Sequence, residues 1–95
     1  MILSPQTIVR LNIVDPCVPA GRFGGVSFGL SHAGYDLRVA EDHTLIPGQF
    51  VLASAMERLK LPTNVVGFVH GKSTWARSGM LVHNTVAEPG WEGYL

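Results

Sequence analysis

Apolar and polar positions along the chain fall into short runs broken by glycine and proline. The opening carries the clearest helical pattern. Ser4 suits a cap, Pro5 the first helical position, and Ile8, Val9 and Leu11 an apolar side that ends near Asn12. Residues 16–29 are glycine-rich and read as irregular, after which 33–39 alternate well enough for a strand. Pro47-Gly48 is a turn leading into a strand over 50–56. Leu59 and Leu61 then alternate with Arg58 and Lys60 up to Pro62, which places the two charges on a solvated strand face. Thr63-Asn64 turns into the apolar run 65–69. Residues 71–79 break this rhythm with small polar residues followed by Trp75, Ala76 and Arg77, the pattern of a short helical turn. Residues 81–83 and 85–87 read as brief strands, and Pro89-Gly90 turns toward a last strand starting at Tyr94. The pattern predicts an all-β domain with one or two short helices.

Composition narrows what such a domain does. Its 95 residues make one domain and leave no room for a second. A chain this short buries little more than ~60% of its unfolded surface, so self-association is an ordinary remedy. Seven basic residues balance seven acidic ones, which argues against a nucleic-acid or membrane-surface partner. No apolar run approaches the ~20 residues of a membrane span, and the opening lacks the pattern of a secretory signal. Cys17 is the single cysteine, so neither an internal disulfide nor a multi-cysteine zinc site is expected. The reading is a soluble, cytoplasmic protein. Leu95 arrives just as the last strand begins, and the domain, 1–95, is expected to lack its C-terminal strands.

Gly71-Lys72-Ser73-Thr74 invites comparison with a P-loop, but the glycine that pattern needs is replaced by Val66. What survives is a strand end followed by a lysine, two hydroxyls and free backbone amides before a short helix. That arrangement suits an anionic ligand. It equally suits a solvated turn whose Ser73 or Thr74 caps the helix, and both readings stand. His32, His43 and His70 have no partners at metal-ligand spacing. Trp75 reads as core or subunit interface rather than a base-stacking platform, and Cys17 has no neighbouring histidine pair to make it a nucleophile.

Four segments, in order and at approximate spacing, resemble the dCTP deaminase and dUTPase superfamily. Gly71-Lys72-Ser73-Thr74-Trp75-Ala76-Arg77-Ser78-Gly79 is similar to its Gly-Arg-Ser-Ser-Leu-Ala-Arg-x-Gly motif. Met1-Ile2-Leu3-Ser4 resembles a frequent dCTP deaminase opening, and Ala33-Gly34-Tyr35-Asp36-Leu37-Arg38 the first nucleotide-hydrolase motif. Glu88-Pro89-Gly90-Trp91-Glu92-Gly93 resembles the segment that follows the pyrimidine-binding hairpin. The resemblance implies a β-clip, a distorted barrel assembling as a homotrimer with shared active sites. It implies that Ser73 and Arg77 contact phosphates and support catalysis, with Lys72 where the family usually has arginine and with Thr74 beside them. Lysine keeps the charge and loses the bidentate fork. His83, Thr85, Val86 and Ala87 would lie in the hairpin that reads the pyrimidine. Asp36 matches the aspartate of the first motif; on its own residues it reads as a structural carboxylate bonded to backbone amides.

Two departures qualify the match. The segment from His83 to Glu88 is shorter than the family's, where cytosine and uracil are told apart, and Glu88 replaces the usual aspartate. The family's general-base glutamate is expected beyond Leu95. The implied activity is hydrolytic deamination of dCTP without zinc, with Mg²⁺ bound through the nucleotide phosphates. A dUTPase-type diphosphatase and a catalytically dead trimer that binds nucleotide or protein are the alternatives.

Overall fold

The computed structural model describes residues 1–95. The first helix, α1 (Pro5–Arg10), forms as its sequence predicts: the Ser4 side chain accepts from the Thr7 amide at 3.2 Å, Pro5 opens the helix and Ile8 is buried. Asn12 turns the chain out at positive φ and delivers Ile13 and Val14 to the core, the latter in β1 (Val14–Asp15).

The first departure follows. Residues 16–29, expected to be irregular, contain β2 (Gly21–Phe23) and most of β3 (Val26–Ser31), an antiparallel hairpin with Phe23 opposite Val26. Gly24 and Gly25 are the connection, both at positive φ, and a two-residue hairpin turn of that hand selects glycine at both positions. Gly29 also sits at positive φ, where a Cβ would collide with the Pro19 carbonyl. β4 (Gly34–Asp36) completes a three-stranded meander by pairing with β3, Asp36 opposite Gly29.

Residues 46–49 form the predicted turn, closed by the Gln49 amide on the Ile46 carbonyl at 2.9 Å. The strand expected over 50–56 is reduced to a single bridge, Val39 opposite Ala55. Two flanking bonds, Ala40 N–H to Ser54 O and Met56 N–H to Arg38 O, hold 38–40 alongside 54–56. β5 (Arg58–Lys60) follows as the middle strand of a second antiparallel sheet, between β1 and β8 (Glu92–Tyr94). β6 (Gly67–Val69) pairs with β7 (Thr85–Ala87) in a two-stranded ribbon, and α2 (Ser73–Arg77) lies in the connection between them. The last strand begins two residues before the expected Tyr94. All-β architecture with two short helices is therefore what the chain adopts, consistent with the dUTPase-like class of fold.

The core is thin. Ile8, Ile13, Val14, Leu59, Leu61 and Ala87 form its buried cluster, with Trp91, Tyr35, Leu37 and Leu95 packed against it. Eight of 95 residues are buried, while Phe23, Leu52 and Leu81 each keep 85% of their surface exposed. A single copy leaves much of its apolar surface in water. No helix is long and apolar enough to cross a membrane.

Candidate functional site

Three ion pairs organise the regions that carry polar chemistry. The most enclosed joins Arg38 to Glu57, Nε to Oε2 at 2.8 Å, with the Glu57 side chain fully buried and that of Arg38 29% exposed. Glu57 Oε1 also accepts from the Arg38 amide at 2.9 Å. The Tyr35 hydroxyl lies within donating reach of Glu57 Oε2 (3.4 Å) and the Pro16 carbonyl (3.2 Å), and it accepts from the Val18 amide. The bond to Glu57 raises the Arg38 guanidinium further above its ordinary value. Burial pushes the Tyr35 phenol up, the Val18 bond opposing it and the charge of Glu57 adding to it. Arg38 also lies over the Phe28 ring, 5.5 Å from its centroid.

Sequence reasoning passed over Glu57, although the signal was present. Leu59 and Leu61 define the inward phase of β5, and Glu57 continues it by the same period of two. A carboxylate on the buried phase needs a partner, and Arg38 supplies it. Arg58 and Lys60 take the outward phase as expected. Arg58 pairs with Glu92 on β8 at 2.8 Å, which holds the Glu92 carboxyl below its ordinary value.

The Lys72 to Arg77 segment leaves its polar groups available. Lys72 occupies the cap position of α2 without a side-chain cap bond, so neither Ser73 nor Thr74 caps this helix. The first intrahelical donor is the Trp75 amide, on the Lys72 carbonyl, which leaves the Ser73 and Thr74 amides ahead of the ladder. Ser73, Thr74 and Arg77 are exposed, and Arg77 makes no ion pair. Two hydroxyls, two free amides and a guanidinium within five residues form a set that a phosphate oxygen cluster can engage. Trp75 is 43% exposed, so it is not core within one copy.

Asp36 differs from its reading as a carboxylate held by backbone amides. Its Oδ2 accepts from Lys72 Nζ at 2.8 Å and from Ser27 Oγ at 3.3 Å, and a third of the side chain remains exposed. The structure thus brings together Asp36 and Lys72, two candidates that stand 36 residues apart in sequence.

The remaining candidates lie elsewhere. Residues 81–83 form no strand, so Thr85, Val86 and Ala87 pair with β6 rather than with a neighbouring hairpin arm. Thr85 and Val86 are exposed and Ala87 is buried. His83 stacks obliquely beside Phe50, ring centroids 6.3 Å apart. Desolvation pushes the Cys17 thiol up, away from the thiolate a nucleophile requires. No three His, Cys, Asp or Glu side chains converge as a ligand set.

A family model described as dCTP deaminase-like matches residues 34–95. A protein named dCTP deaminase from Herpetosiphon aurantiacus is 33% identical, the alignment covering 87% of this chain and 61% of that protein. The dCTP deaminase of Ehrlichia canis is 32% identical over 92% of this chain and 63% of its own length. That of Gluconobacter oxydans is 33% identical over 100% of this chain and 70% of its own. The chain spans about three fifths of the length of the first two of these relatives.

Proposed function

The chain belongs to the dCTP deaminase-like family, and on that premise we propose that it binds a pyrimidine deoxynucleoside triphosphate for hydrolytic deamination of dCTP to dUTP. The observation that carries this reading is the exposed set of Ser73, Thr74 and Arg77 on α2, with the Ser73 and Thr74 amides free. Arg77 grips phosphate oxygens through charge-assisted bonds, and Ser73 and Thr74 donate their hydroxyls beside it. Lys72 adds a point charge. Mg²⁺ travels on the phosphate oxygens as the nucleotide's counter-ion and neutralises part of their charge.

Deamination at C4 needs a water made nucleophilic and a leaving amine given a proton. Ser73 and Arg77 are the supporting groups in this reading, stabilising charge as it develops. Thr85, Val86 and Ala87, with His83, are the residues proposed to face the pyrimidine. His83 lies two residues ahead of Thr85, beside the Phe50 ring. The exposed Phe23, Leu52 and Leu81 support a self-associating chain, for which a homotrimer is the proposed form. Light scattering at micromolar concentration is expected to give about three times the monomer mass; a stable folded monomer would refute it.

A dUTP diphosphatase reading shares the same phosphate groups and is favoured by the hydrolase-like segment Ala33 to Arg38. Calorimetry with dCTP, dUTP and dATP, each with Mg²⁺, tests the common premise. Both pyrimidine nucleotides should bind more tightly than dATP. Arg77→Ala should weaken triphosphate binding by more than about 1.5 kcal/mol, the loss typical of a charge-assisted bond. Lys72→Ala should cost less, because its ammonium already has a carboxylate partner. Unchanged affinity in both variants removes the phosphate site from this segment.

A further inference from the structure

The Lys72–Asp36 pair crosses from the end of β4 to the start of α2, and it is the one ion pair of the three that reaches the α2 segment. Asp36 is held from both sides. Its strand neighbour β3 supplies the Ser27 hydroxyl, and Lys72 supplies the ammonium, both to the same oxygen. Lys72 therefore turns its charge back onto the meander, although its backbone caps the helix whose amides are free. Asp36 also lines a cleft of about 390 Å³ shared with Pro5, Pro19, Phe28 and His32, so the carboxylate stands at an open edge rather than in the core.

We infer that Asp36 is a positioning residue that parks Lys72 away from the phosphate groups in the empty chain, and that a polyphosphate binds by taking Lys72 over from it. This rests on the reading of residues 72–77 as a phosphate site. The exchange replaces one carboxylate oxygen by several phosphate oxygens around the same ammonium. Lys72 then contributes only the difference between the two partners, and the empty site carries less uncompensated positive charge. Arg77, with no such partner, carries the full attraction. Ser27 keeps Asp36 in place after the exchange, so the carboxylate remains ready to recapture the lysine.

Two measurements on the intact chain test this. Lys60 and Lys72 are its two lysines, and Lys60 is exposed on β5, which makes it an internal standard. Under limiting acetic anhydride with mass spectrometric readout, Lys72 should label about threefold more slowly than Lys60, a factor within the range of a solvent-accessible ion pair. Asp36→Asn should close that gap and leave the Lys60 rate unchanged, and Asp36→Ser should do the same if the asparagine recaptures the amine. Equal Lys72 rates in the wild type and both variants overturn the role of Asp36.

Calorimetry with inorganic tripolyphosphate supplies the second readout, over Asp36→Asn, Lys72→Ala and the double variant. Asp36→Asn should tighten binding about threefold with Lys72 present and hardly at all in the Lys72→Ala background. An equal gain in both backgrounds means that Asp36 acts through its negative field alone, which overturns the hand-over. Failure of every form to bind tripolyphosphate removes the hand-over and the phosphate reading together. Normal, Arg77-dependent binding with unchanged Lys72 labelling removes the role of Asp36 and leaves the phosphate reading intact.

Discussion

Incubated with dCTP or dUTP and Mg²⁺, residues 1–95 on their own are expected to release neither ammonia nor pyrophosphate at an enzymatic rate. Deamination and phosphate hydrolysis both need a carboxylate or an equivalent base within reach of the attacking water. Three of the seven acidic side chains are tied up in ion pairs. Glu57 is buried against Arg38 and Tyr35, Asp36 is held by Lys72 and Ser27, and Glu92 is tied to Arg58 across β5 and β8. Glu88 is exposed, outside any ion pair, and lies in the segment just before the Pro89-Gly90 turn, not at the position where the family's base is expected. A positioned general base contributes about 10²–10⁴-fold, so any residual rate should lie at least that far below the ordinary ~1–10³ per second. Separating products by anion-exchange chromatography distinguishes dUTP from dUMP with pyrophosphate. Turnover in the ordinary range would mean that Glu88 serves as the base, or that Glu92 leaves Arg58 to do so. Binding without turnover is the expected pattern, and Arg77→Ala should weaken that binding by about tenfold or more.

How much of this could be read from the residues depends on whether the decisive contact is local. The α1 cap, the 46–49 turn and the alternation through β5 are short-range patterns, and each is found where the sequence puts it. The Gly24-Gly25 hairpin was equally local. It was missed because glycine density reads as irregular chain unless the flanking Phe23 and Val26 are matched as a strand pair. The strand expected over 50–56 has the apolar composition for it. Its backbone bonds only to Arg38, Ala40 and Leu95, all from residues 54–56, and the ladder stops at one bridge. In the candidate site, the exposed set on α2 was legible because one nine-residue segment carries it. The partners of Asp36 were not, since Ser27 and Lys72 reach it from opposite directions along the chain. Ala87 shows the same limit: its strand was predicted, but burial against β6 depends on a pairing that no local pattern specifies.

Glu57→Ala is expected to be the most destabilising single substitution in this molecule, costing about 3 kcal/mol. Removing one member of a buried ion pair typically costs about 3–5 kcal/mol because the other charge is left uncompensated. The lower end applies here, since Arg38 keeps 29% of its side chain exposed and water can recover part of the loss. The Arg38 amide also loses its acceptor, and the Tyr35 hydroxyl loses one of two. A domain of this size has about 5–14 kcal/mol in total at ~0.05–0.15 kcal/mol per residue, so roughly a fifth to three fifths of its stability rests on this carboxylate. Glu57→Gln keeps the shape and one acceptor oxygen, and should fall between the two. The Tyr35 half of the network has its own signature in pH. Its phenol is raised above the ordinary 10.0 in the folded chain, chiefly by burial. The folded state thus holds that proton more tightly than the unfolded one. This contribution is complete below pH ~10 and lost as the pH rises through the folded value. Tyr35→Phe should flatten that alkaline fall. Urea titrations at one fixed protein concentration, which keeps association constant, measure both effects. A loss below about 1 kcal/mol for Glu57→Ala would place Glu57 outside the packing of the fold, and the join between β4 and β5 would then depend on the backbone bridge at Val39 and Ala55 alone.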